Sequence, residues 1–152
     1  MQHLVLLYSI EDASRVKDLE NALKVLVNRK DISVWSRAKM PPGAVVRDVV
    51  EKKFAEADVF VVLLSADFLA LEGEDFERVR QAERAAAVFV LLRPCGWQHT
   101  WLSGGQEDDS KLVPRRKGKA VPVTSFSDPA DAWQEVLTEI ASVVRRRAAG
   151  SP

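Results

Sequence analysis

The sequence predicts an α/β domain with a central parallel sheet. Three observations carry that reading: short apolar runs recur along the chain, amphipathic segments alternate with them, and the 152 residues suit one domain with a real core. Strands buried on both faces are continuously apolar, because helices cover the sheet above and below. The runs are LVLLY (Leu4 to Tyr8), ISVW (Ile32 to Trp35), VFVVLL (Val59 to Leu64), VFVLL (Val88 to Leu92) and AVPV (Ala120 to Val123). Each reads as a strand.

The first intervening segment places Val16, Leu19, Leu23 and Leu26 on one helical stripe, with Ser14 positioned to cap its start. The second carries Val46, Val49, Val50, Phe54 and Ala57. A third, with the thinner stripe Phe76, Val79, Ala82 and Ala86, is expected to begin near Asp75. The last shows Trp133, Val136, Leu137, Ile140 and Val143 after Ser-Asp-Pro, which supplies a cap and a first-turn proline. Residues 93–119 lack sustained periodicity and read as an irregular surface connection with one short helical turn. Arg145, Arg146 and Arg147 fall where a helix C-terminus favours cations. The domain is read as residues 1–147, with 148–152 as a tail or linker.

Composition narrows the function classes. The 22 basic and 22 acidic residues cancel, so no global field draws the chain to nucleic acid or an anionic membrane. Lys111, Arg115, Arg116, Lys117 and Lys119 form a local basic stretch without an aromatic residue to stack on bases. Cys95 is the single cysteine, which excludes an internal disulfide and fits a reducing, cytoplasmic setting. LVLLY lacks the flanks of a signal peptide and the length of a membrane span.

A parallel sheet places its crevice beyond the C-terminal ends of the strands. That selects Ser9 to Asp12, Ser36 to Gly43, Ser65 to Phe68 and Cys95 to Trp97, with Glu77 near the same edge. No glycine-rich phosphate loop follows a strand, so nucleotide-triphosphatase and ordinary dinucleotide oxidoreductase readings lose their support. Cys95, His99, Asp108 and Asp109 have no metal-ligand spacing, and no metal or resident cofactor is expected. A phosphoacceptor receiver could use Glu11 and Asp12, but Asp67 lies beyond the strand end and Thr124-Ser125 stands where a lysine is needed.

The segments LVLLYSIED, VWSRAKMPPG, ADVFVVLLSADFLA, VFVLLRPCGW and DPADAWQEV, in that order and spacing, resemble the bacterial TIR (Toll/interleukin-1 receptor) domains from His3 to about Val144. The resemblance implies a flavodoxin-like fold with a five-stranded parallel sheet flanked by helices on both faces. It implies either homotypic TIR–TIR association as a non-catalytic signalling module, the alternative, or, as the leading expectation, cleavage of the nicotinamide–ribose bond of NAD⁺, which would be substrate. An NAD⁺-depleting defence or toxin effector, activated by self-association and joined to a sensing domain, would follow from the second activity.

The family's catalytic glutamate falls by resemblance on Glu77, with Glu74 as the alternative. Tyr8, Ser9 and Ile10 then line the nucleotide, and Ser36 and Gly43 belong to the loop after the second strand, the BB loop. The chemistry is coherent, because nicotinamide departure builds positive charge on the ribose carbon, which a carboxylate stabilises. The residues also carry plainer readings. Glu77 has the spacing to pair with Arg80 or Gln81 as a solvated helix residue, Tyr8 and Trp35 can pack at the sheet end, and Pro41-Pro42-Gly43 is a turn.

Overall fold

The computed structural model describes residues 1–40, 46–103 and 108–150. Five parallel strands form the sheet: β1 (Gln2–Leu7), β2 (Ile32–Ser36), β3 (Val59–Leu64), β4 (Ala86–Leu91) and β5 (Leu112–Val113), in the spatial order β2-β1-β3-β4-β5. A separate antiparallel hairpin joins β6 (Arg115–Arg116) to β7 (Lys119–Ala120). The helices are α1 (Ala13–Asn28), α2 (Val46–Glu56), α3 (Ala66–Leu71), α4 (Gly73–Gln81) and α5 (Pro129–Ala148). This is the expected architecture.

Alternation along the strands splits the core into two layers. On β3, Val59, Val61 and Leu63 face the layer built with α1 and α5, where Leu19, Leu23, Trp133 and Ile140 pack. Phe60, Val62 and Leu64 face the other layer, with Phe68, Phe76, Val79 and Trp101. Both faces of β3 are fully buried, which is why VFVVLL has no polar position.

Four local readings are corrected. The fifth strand is Leu112–Val113 rather than Ala120 to Val123. Pro122 lacks an N–H for a ladder, and the chain there turns into a 3-10 segment at Val123–Ser125. Ala120 instead closes the small hairpin, whose turn residues Lys117 and Gly118 both have positive φ, 53° and 77°. A two-residue turn of that hand matches strand twist, and Gly118 adopts it without a Cβ clash.

Ser14 does not cap α1, which starts one residue earlier; Asp12 occupies the cap position, and its carboxylate is committed elsewhere. The thin-stripe helix starts at Gly73 and ends at Gln81, since Ala82 leaves helical geometry (ψ 87°) and Ala86 already pairs with Val59 in the sheet. Residues 93–103 and 108–119 are more ordered than expected. Two 3-10 turns, Trp97–His99 and Trp101–Ser103, bury Trp97 and Leu102 against the core.

The N-terminal edge of the sheet is tied by Asp58. Its carboxylate accepts from the His3 amide at 2.8 Å and the Arg84 guanidinium at 3.0 Å, with Arg147 at 3.6 Å. Arg147 also donates to the Arg84 carbonyl at 3.2 Å. The end of α5 is thus fixed by tertiary contacts as well as by its dipole.

Candidate functional site at the C-terminal sheet edge

The strand order reverses direction between β1 and β3, so the segments after these strands diverge and leave a crevice. Here the crevice floor is filled by side chains from three strand ends. Asp12, fully buried after β1, accepts a 2.6 Å hydrogen bond from the Ser65 hydroxyl after β3. Arg93, after β4, brings its Nε to 2.9 Å from the other Asp12 oxygen and donates to Asp67 at 2.8 Å. Ser65 also caps α3 by accepting from the Phe68 amide at 3.1 Å. These contacts make the centre of the edge an electrostatic plug.

The second part lies between the end of β2 and α4. The chain breaks at Glu72 (φ −117°, ψ 29°), which separates the short helix α3, directly after β3, from α4. On the first turn of α4, Asp75 is buried and paired with Arg37 at 3.3 Å. Burial pushes the Asp75 carboxyl above its ordinary range, partly opposed by Arg37 and Arg78. Glu72 is raised too, first by burial and then by the Asp75 charge. Arg37, Asp75, Glu74, Arg78 and Val50 line a cavity of about 480 Å³.

The residues singled out from sequence are distributed unevenly over this edge. Tyr8 is buried at the end of β1, and its hydroxyl is raised in pKa by burial, with Glu20 adding and with Lys39 and Ser36 opposing. Tyr8 and Ser36 therefore share one environment. Ser9 is fully buried, and its side chain accepts from the Glu11 amide at 3.3 Å in a local turn. Ile10 is exposed. Gly43 lies outside the described residues. Glu74 lines the cavity, whereas Glu77 lies one step around the helix, half-exposed and 3.3 Å from Arg80.

Sequence reasoning did not single out Arg37, Asp75 or Arg93. The signal for Asp75 was available: it directly precedes Phe76 on the inward side of α4, where a carboxylate is buried only with a partner. Arg37 and Arg93 each directly follow, or nearly follow, a strand end, a place where long side chains reach neighbouring loops.

Comparison with solved structures is decisive for the fold. The chain matches the RPS4 and RRS1 TIR domain heterodimer with a TM-score of 0.59 and 16% identity, covering 94% of this chain and 98% of that one. The fold is that of a TIR domain. A second match, the TIR domain of the Toll-related receptor TRR-2 from Hydra magnipapillata, has a TM-score of 0.57 and 15% identity, covering 91% of this chain and 97% of that one.

No protein-family model matches the sequence. An uncharacterized protein of Sinorhizobium fredii, y4lF, is 29% identical over 154 aligned positions, covering 95% of this chain. The chain spans 45% of that relative's length. Among the described residues, no helix is long and apolar enough to cross a membrane, and no cluster of three or more His, Cys, Asp or Glu could hold a metal ion.

Proposed function

We propose that this TIR fold acts as a signalling module that associates with other copies of the same fold. The carrying observation is the commitment of the buried carboxylate on α4: Asp75, which lines the cavity, is held by Arg37 at 3.3 Å. A carboxylate that stabilises a developing ribosyl cation must face the substrate. Here the edge is arranged as a structural surface, with its central crevice plugged by Asp12 and Arg93. The heterodimer of TIR domains among the structural neighbours supports the same reading. Sedimentation of the purified chain over a wide concentration range tests it: reversible association is expected, and a monomer at every concentration would sink it.

Cleavage of NAD⁺ at the nicotinamide–ribose bond is the second reading, and the cavity beside α4 is the observation favouring it. In this reading Glu77, or Glu74 which lines that cavity, stabilises the ribosyl cation, while Tyr8, Ser9, Ile10, Ser36 and Gly43 contact the nucleotide. Exposed ion pairs such as Glu74–Arg78 are weak and exchange readily, so a ligand could displace the arginine. Such an enzyme would serve as a cytoplasmic NAD⁺-depleting defence effector, fused to or working with a sensor domain. Nicotinamide release by clustered protein, abolished in Glu77→Ala or Glu74→Ala, would establish it; a folded, clustered and inactive chain would remove it.

A further inference from the structure

We infer that β2 is the self-association surface, pairing antiparallel with β2 of a second copy so that two five-stranded sheets become one. This rests on the association reading above and names its surface.

The two edges of the sheet are built differently. The β5 edge is two residues long and is followed at once by Pro114, which supplies no N–H. The β2 edge, Ile32–Ser36, holds neither proline nor a charged residue, the two common devices that prevent edge pairing. Its phase is fixed by the Gln2 amide, which donates to the Asp31 carbonyl at 3.0 Å. In a parallel ladder Asp31, Ser33 and Trp35 then turn their backbone groups toward β1, while Ile32, Val34 and Ser36 turn theirs outward. Ile32 is fully buried, so the open part of the edge is Val34 and Ser36, both partly exposed.

That open edge is self-complementary. A two-fold axis at Trp35 sets Val34 opposite Ser36 of the second copy, and Ser36 opposite its Val34. These are two reciprocal hydrogen-bonded pairs, with Trp35 against Trp35 at the non-hydrogen-bonded position between them. Aromatic cross-strand pairs favour such a register. Beside the strand lies a groove of about 480 Å³ lined by Leu23, Val27, Val34, Trp35 and Met40, with Val27 37% exposed.

The groove's rim carries the right charges for a second copy. Glu20 is paired with Lys39, whereas Lys24 has no partner among the described residues. The two-fold that reverses β2 also reverses α1, so Lys24 of one copy faces the Glu20 end of the other. An acidic peptide would satisfy Lys24 but leave Glu20 opposed, so the mixed rim selects a second copy.

The test is sedimentation equilibrium of the 152-residue chain with Val34→Lys and Val34→Pro, folding being checked by circular dichroism. Proline at 34 removes an outward N–H that β1 does not use, and lysine places a charge on the edge. Each variant is expected to raise the dimer dissociation constant tenfold or more. Amide exchange of wild type at Val34 and Ser36 is expected to slow as concentration rises. Wild-type association with both variants unaffected, or with exchange at Val34 and Ser36 independent of concentration, overturns the β2 assignment alone. A wild type that stays monomeric overturns the association reading with it.

Discussion

Asp12 and Arg93 meet at 2.9 Å across the C-terminal edge of the sheet, the carboxylate completely buried and the guanidinium about one-quarter exposed. Removing the arginine leaves a buried charge whose remaining contacts are Ser65 and the more distant Arg15. Breaking such a pair costs far more than the pair contributes, because desolvation of the orphaned ion is not repaid. Arg93→Ala is expected to lower unfolding free energy by about 3 kcal/mol, read from urea denaturation at neutral pH. Adding Asp12→Asn to Arg93→Ala should recover part of that loss. A single variant within a few tenths of wild type would mean that the plug carries no stability.

The sheet and its two apolar layers were legible in the sequence because β3 has no polar residue and α1 and α5 have unbroken stripes. Elements of low periodicity were not. β5 is two residues long and is recognisable only by its pairing with Phe89 and Val90, which no local pattern encodes. The site was legible as an edge but not as contacts. Asp12, Ser65 and Arg93 are separated by 53 and 28 positions, and their convergence is a product of strand order. Glu77 was expected on this helix, whereas a start near Asp75 left Glu74 ahead of it; the observed start at Gly73 puts Glu74 in the first turn and on the cavity.

Asp75 gives the fold a pH dependence of known sign. Its folded-state carboxyl is raised by burial, and Glu72 is raised beside it, so both bind protons more tightly folded than unfolded. Their contribution is fully present below the ordinary carboxylate range and is lost as pH rises through the raised folded values. Asp75→Asn removes the larger buried charge. Its stability should therefore change less with pH than wild type over the interval from the ordinary carboxylate range upward. Urea midpoints across that interval check this; parallel curves for the two proteins would contradict it.

At the opposite edge, Asp58 joins β1, the segment before β4 and the end of α5 through His3, Arg84 and Arg147. Asp58→Ala is expected to cost about 2–3 kcal/mol, since a partly buried acceptor of charge-assisted bonds is lost and the His3 amide is left unpaired. Arg147→Ala should cost about 1 kcal/mol, losing one long contact and one carbonyl bond. Amide exchange in the last turns of α5 should accelerate in both. Equal effects from the two substitutions would show that Asp58 acts only through Arg147.

Leu112 tests whether the segment after β4 belongs to the cooperative core. It is fully buried in the layer containing Phe89, Trp97 and Leu102, and Phe76 stacks at 4.7 Å on Trp101 from the same segment. A surface loop tolerates truncation of one side chain, whereas a core strand does not. Leu112→Ala should therefore lower unfolding free energy by about 2–4 kcal/mol, through lost apolar contact and the cavity left behind. The tryptophan fluorescence transition, read in a Trp35→Phe/Trp133→Phe background so that it reports Trp97 and Trp101, should shift together with the circular dichroism transition. If fluorescence instead melts first in the variant while helix content persists, the segment folds as a separate unit and the sheet is closed without β5.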